Sequence, residues 1–459
     1  MTSDVRRMLQ AAIVYLGIVV AGLDSALNAI FPELTHAFGR GQESIQWVII
    51  PLILTYGALL PLFGTLGDVM GWRLRAFQVG LLLNGLAFIG LALAPNFETL
   101  VALRVVQGVA TAAVFSCAPA LVTALYDVAM RPTISGRVAA ALALGSILGV
   151  LLGILALAAF DWNAVFWLRS PLCFVLFGCS FFLPANEIRE TRKLDVGGAV
   201  AFLVAISLCI GAIEALSVDQ RWAIAAAMAC VIATVLFIRR ENRFPDPMIP
   251  LKQFSPELLI WIFVGTGVFF ISFAPLLLIP YLDAFPLIIM PWILVAGVSG
   301  IPVGALILPR LFPNPHRQTV GLAGLLVLFA GTYLAAVSNH AAWMAAALFI
   351  QGLGIGVFSF AYTDLLLDTM EERDRGVAGS LVGLTRTLGF AFCASVLTIV
   401  NHTQKAATIT DGLPLPVMRA FQNTFVLTAG IGALILIPIF LWGWIRGHRK
   451  NQRSMSGSP

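Results

Sequence analysis

Charge is scarce in this chain: 28 Lys and Arg and 23 Asp and Glu among 459 residues leave it 11% charged, while 59% is hydrophobic. An ordinary globular domain carries roughly 25% charged residues, so a water-facing surface of normal composition is excluded. Histidine is rarer still. Its five positions (36, 316, 340, 402, 448) all fall outside the apolar runs, whereas the six cysteines (117, 173, 179, 209, 230, 393) all fall inside them. That separation argues against a disulfide framework and against a buried histidine or metal site. No phosphate-binding glycine loop, nucleophile–base–acid set or metal-ligand spacing occurs, so enzyme chemistry and an ATP-driven pump have no support, and no cofactor or metal is expected. The net charge of +5 comes without an aromatic platform or a nucleic-acid-binding motif. Anionic lipid headgroups are therefore favoured over nucleic acid as partners.

Long apolar runs fill the chain instead. Its mean hydropathy is +0.93, and the apolar residues come in blocks of roughly 18 to 25, the length a helix needs to cross a hydrocarbon layer ~30 Å thick. Blocks between charged or Pro/Gly-rich breaks start near 9, 46, 76, 99, 135, 164, 197, 221, 257, 287, 318, 342, 376 and 421. Fourteen transmembrane helices are expected, with short connections that leave no room for a soluble domain. The first run is too long for a signal-peptide core and lacks a credible cleavage site, so it is expected to be retained. The longest polar stretch, RRENRFPDPMIPLKQF at 239–254, reads as a linker. The expected organisation is a six-helix bundle over 1–186, an inserted helix pair and cytoplasmic linker over 187–256, and a second six-helix bundle with a cytoplasmic tail over 257–459.

Charge sidedness tests that count, because one missed span would scramble every later loop. Of the Lys and Arg residues, only Arg40, Arg221, Lys405 and Arg419 fall in outer loops, and Arg104, Arg169 and Arg386 fall within spans. The rest lie on one side, which favours an even number of spans with both termini cytoplasmic. A repeat also appears. Gln107-Gly108 and Leu144-Gly145 recur, shifted by 244 residues, as Gln351-Gly352 and Leu388-Gly389. Spans 4 and 5 thus have a parallel counterpart in spans 12 and 13, the same-sense repeat on which one large transporter class is built.

The stretch GTLGDVMGWRLR at 64–75 puts one acid and two arginines into the turn between spans 2 and 3. Two positive charges alone would be an anchor. The full pattern, Gly64-x-Leu66-x-Asp68-x-x-Gly71-x-Arg73, resembles the loop signature of the major facilitator superfamily. The resemblance implies a cytoplasmic gate, in which Asp68 pairs on the inner face with charges around Asp127 and Arg131, or Arg373 and Arg375, until substrate binding breaks the contact. The arginine that the family often carries after the aspartate is Val69 here. Further resemblances run almost the length of the chain and point to the fourteen-helix drug/proton antiporter branch. They are Leu23-Asp24-Ser25 with Asn28 and Pro32 in span 1, Trp47 in span 2, Arg104 with Gln107-Gly108 in span 4, Asp161-Trp162 with Phe166 before span 6, and Asp195-Gly198 opening span 7. The implied fold is all-α and polytopic, with two six-helix bundles and an inserted helix pair.

Three features carry the functional expectation. Asp24 sits roughly 10 Å and Arg104 roughly 8 Å below the outer boundary at 1.5 Å per residue, so the two share a depth, with Arg169 as a rival partner. Buried charges in a bilayer must face a cavity and pair, and an aspartate pulled one way by burial and the other by an arginine can bind and release a proton. Gly145, Gly149 and Gly153 form a small-residue ridge on one face of span 5. Helix packing alone would explain it, and it also resembles the antiporter signature, from which Val150 and Ile154 depart. Arg386 falls near the midplane of span 13 and, with Asn28 and Gln107, is expected to line the substrate cavity or to serve as a structural hydrogen-bonding group. The expected function is proton-coupled export of lipophilic or cationic small molecules by a monomer in the bacterial plasma (inner) membrane. The alternatives are uptake symport of a small organic solute, or a transport-inactive sensor or scaffold.

Overall fold

The structure, a computed structural model, describes residues 3–41, 44–126, 131–184, 195–216, 220–247, 251–278, 289–311, 317–369 and 381–396, together with 193, 249, 426, 429, 430, 432 and 433. The described residues are almost all helical, with no strand among them. Helix α1 runs over Ser3–Gly22, passes through one 3-10 turn at Leu23–Ser25 and continues over Ala26–Ala37. There follow α2 (Ile45–Met70), α3 (Arg73–Ala92), α4 (Phe97–Thr123), α5 (Arg131–Ala159), α6 (Ala164–Ser180), α7 (Val196–Ala215), α8 (Gln220–Arg243), α9 (Pro256–Leu278), α10 (Met290–Leu311), α11 (Arg317–Val337) and α12 (Ala341–Thr369). The last described helix is α13 (Leu381–Val396).

Among these, ten helices are long and apolar enough to cross a membrane, and shorter apolar helices at Ala164–Ser180, Trp292–Ala305 and Leu381–Val396 occupy the places of expected spans 6, 10 and 13. Expected span 14 lies outside the described residues, except for helical residues between 426 and 433. The distribution of side chains is that of a protein dissolved in lipid. Large apolar groups such as Trp222, Val231 and Trp343 point outward, while Asn84, Arg104, Gln107, Arg169 and Gln351 are buried. A backbone in hydrocarbon has to satisfy its own hydrogen bonds, and helices do so.

Helix α4 packs on α2 and α3, and α12 packs in the same way on α10 and α11. The glycines show why the match is close. A side chain on Gly108 would strike Leu52 and Thr55 of α2, and one on Gly352 would strike Gly297 and Gly300 of α10. A side chain on Gly80 of α3 would strike Ala110 and Val114, and one on Gly324 of α11 would strike Gly354 and Phe358, residues related by the same shift of 244. The repeat read in spans 4 and 12 therefore extends to their neighbours. Contacts between the two sets run along α5 with α10 and along α2 with α13, where Gly57 abuts Thr387 and Gly383 faces Leu60.

Helices α7 and α8 pack on each other, and α7 also touches α2. Asp195 fastens their ends. Its buried carboxylate accepts from the Gly198 amide at 2.7 Å, capping α7, and from Arg240 Nε at 2.9 Å and Nη2 at 2.7 Å. Asp195→Ala removes a helix cap and one half of an ion pair, and is expected to cost about 1–3 kcal/mol. Its unfolding temperature in detergent should fall below that of the parent protein; an unchanged value would show that the latch contributes nothing.

Candidate functional site

Asn96 sets the register of α4: its side chain accepts from the Thr99 amide at 2.8 Å, a standard N-cap. Counting from there, residues 104, 107, 108 and 111 follow the i, i+3, i+4, i+7 rule and share one face. Arg104 and Gln107 on that face meet Asp24 in the 3-10 turn of α1, while Gly108 packs on α2 and Thr111 reaches Asn84 of α3. Arg104 grips Asp24 with both terminal nitrogens, Nη1 to Oδ1 and Nη2 to Oδ2, each at 3.0 Å. The guanidinium is also fixed elsewhere, donating from Nε to the Val48 carbonyl at 2.8 Å and from Nη1 to Gln107 Oε1 at 2.6 Å. Gln107 closes the ring by donating to Asp24 Oδ1 at 2.9 Å. A bidentate, charge-assisted pair of this kind is among the strongest polar contacts available to side chains.

The rival partner is not excluded by the first. Arg169 of α6 donates from Nη2 to the same Oδ1 at 3.0 Å, and its guanidinium lies over the face of Phe88 at 4.1 Å. Asp24 thus ties α1 to α4 and α6 together. Its side chain keeps 25% of its surface exposed, against 3% for Arg104 and none for Arg169, so Asp24 is the most exposed member of this ion cluster. Two arginines face one acid. No charge count in the sequence shows that both would dock at once; a carboxylate with two oxygens simply has the lone pairs to take them.

The glycine ridge of α5 positions the same turn. A Cβ on Gly145 would overlap the Val19 carbonyl and come within 3.1 Å of Gly22 Cα; a Cβ on Gly149 would overlap Ser25 Oγ and come within 2.8 Å of the Leu23 carbonyl. Ser25 in turn donates to the Ser146 carbonyl at 2.7 Å. Gly153, one turn further on, is buried, and Val150 is fully buried. The backbones of α1 and α5 therefore touch where the chain carries Asp24.

Of the remaining expected site residues, Arg386 donates to the Tyr56 hydroxyl at 3.3 Å, which links α13 to α2; Tyr56 itself packs edge-on against Phe115. Asn28 lies one helical turn beyond Asp24, and its side chain is outside the described residues. So are Asp127 and the side chains of Asp68 and Arg131. In the turn between α2 and α3, Gly64 lies within α2, Gly71 ends that helix with φ 69° and ψ 19°, and Arg73 opens α3. A left-handed C-cap favours glycine because a Cβ there meets the carbonyl, which gives Gly71 a structural reason independent of any gate.

A family model described as Major Facilitator Superfamily matches residues 14–394. Among curated proteins, Multidrug resistance protein Stp of Mycobacterium tuberculosis is 26% identical, the match covering 88% of this chain and 78% of that protein. Puromycin resistance protein pur8 of Streptomyces alboniger is 27% identical over 96% of this chain and 91% of its own length. Methylenomycin A resistance protein of Streptomyces coelicolor is 27% identical, with 84% of each chain covered.

Proposed function

The chain belongs to the major facilitator superfamily and is an integral membrane transporter, and from that premise we propose that it exports lipophilic small molecules in exchange for protons by alternating access. Asp24 binds the proton and Arg104 is its fixed partner. The observation that carries this reading is the carboxylate shared by α1, α4 and α6: protonation weakens its charged bonds, so the proton state of one side chain bears on how three helices sit. A partly exposed acid inside an apolar bundle is a functional group by default. The relatives named for resistance support export over uptake. In this reading the protein works as a monomer in the bacterial plasma membrane with both termini inside, as two six-helix bundles (1–186 and 257–459) with the 187–256 segment between them. Asn28 and Arg386 line the path of the substrate, whereas Gln107, expected beside them, is buried in this conformation against Asp24 and Arg104.

Asp68 is the inner-face gate in the same reading. Asp68→Asn is expected to leave insertion and expression normal while slowing turnover several-fold, because an amide keeps the size but weakens a charged contact. Transport at the parent rate would reduce the turn to an anchor. The overall test uses inverted membrane vesicles with a pH-sensitive dye. A solute that collapses an imposed proton gradient only when the protein is present supports exchange; silence across a broad panel of lipophilic compounds sinks it.

A further inference from the structure

The two arginines on Asp24 are held in very different ways. Arg104 has acceptors that do not depend on the carboxylate, the Val48 carbonyl and Gln107 Oε1. Among the described residues Arg169 has one hydrogen bond, to Asp24 Oδ1. Its Nε and Nη1 are buried without a hydrogen-bond partner among the described residues, and no part of its side chain is exposed. Phe88 supports the guanidinium through its ring face, which favours a cation but leaves those N–H groups unanswered. A buried charge that loses its counter-ion is strongly unfavourable. Neutralising Asp24 therefore leaves Arg104 in place on two acceptors and strands Arg169. The other element packed on this turn, α5, presents Gly145, Ser146 and Gly149 there and brings no titratable group.

We propose that Arg169 is the movable counter-ion of the site: it covers Asp24 in the conformation seen here, withdraws with α6 when Asp24 takes up its proton, and so keeps the proton from binding in both orientations of the transporter. This rests on Asp24 being the proton-binding group. Arg169 is a positioning residue, acting on the proton through Asp24. Its role is coupling. Without it, Asp24 exchanges protons from either side and shuttles them with no substrate aboard.

The measurement is substrate-free proton flux in proteoliposomes carrying an interior pH dye, with a potassium diffusion potential as the driving force. Arg169→Gln is expected to raise the leak at least about tenfold over the parent protein, Arg169→Lys, which restores the charge, to return most of the way to the parent value, and Arg169→Gln combined with Asp24→Asn to abolish the leak. The double variant separates the idea from damage, since a leak through a misfolded bundle would survive loss of Asp24 and would overturn the proposal. A folded Arg169→Gln protein with parent-like leak, or equal leaks in the Gln and Lys variants, overturns it as well. Failure of the underlying reading looks different: the Asp24→Asn single variant then still concentrates substrate against its gradient, whatever the leak of the Arg169 variants.

Discussion

Asp24→Asn is expected to abolish gradient-driven transport, reducing it to the level of empty vesicles, while substrate binding or passive exchange survives. The amide keeps the shape and one acceptor oxygen but cannot cycle a proton. It also removes the counter-charge of two buried guanidiniums, and breaking a buried pair in this way costs about 3–5 kcal/mol, so a lower unfolding temperature accompanies the loss. Asp24→Glu separates the two effects: it keeps the charge and is expected to retain part of the activity with an altered pH dependence. Substrate flux and proton movement measured together across pH decide the point. If the Asn variant still concentrates substrate against its gradient, the proton site lies elsewhere, and the acids near the ends of expected spans 7, 9 and 12, Glu214, Asp283 and Asp364, are the next to test.

The second large effect belongs to the contact between α5 and α1. Gly149→Leu is expected to abolish transport, and Gly149→Ala to reduce it severely. Ser25 can rotate away from a new methyl group, but the Leu23 carbonyl at 2.8 Å from the built Cβ is backbone and cannot. Overpacking of a tight contact costs about 1–3 kcal/mol, and here it displaces the turn that holds Asp24 against Arg104 and Arg169. Gly178 supplies the control, because a Cβ on it meets nothing within 4 Å. Gly178→Ala should therefore leave unfolding temperature and transport at or slightly above the parent values. Parent-like flux in Gly149→Ala would show that the ridge has slack and that α5 does not position Asp24 for transport.

Several features of this molecule follow from local rules and are legible in its sequence. A bilayer of fixed thickness turns apolar run length into helix count, so the spans could be enumerated without any knowledge of packing. The constant rise of a helix turns residue number into depth, which is why Asp24 and Arg104 could be matched before either was placed. Spacing by four put Gly145, Gly149 and Gly153 on one face, and a shift of 244 exposed the repeat. Azimuth is another matter. Which way a helix face points depends on the residues of its neighbours, and in lipid that choice is made by close packing of small side chains with little help from hydrophobic patterning. Only the tertiary structure therefore decided that the α5 ridge meets α1, that the turn at Leu23–Ser25 interrupts that helix, that Arg169 joins Arg104 on a single carboxylate with Phe88 beneath it, and that Arg386 reaches across to Tyr56. Hydropathy and rise per residue describe one helix at a time; the site exists where three of them converge.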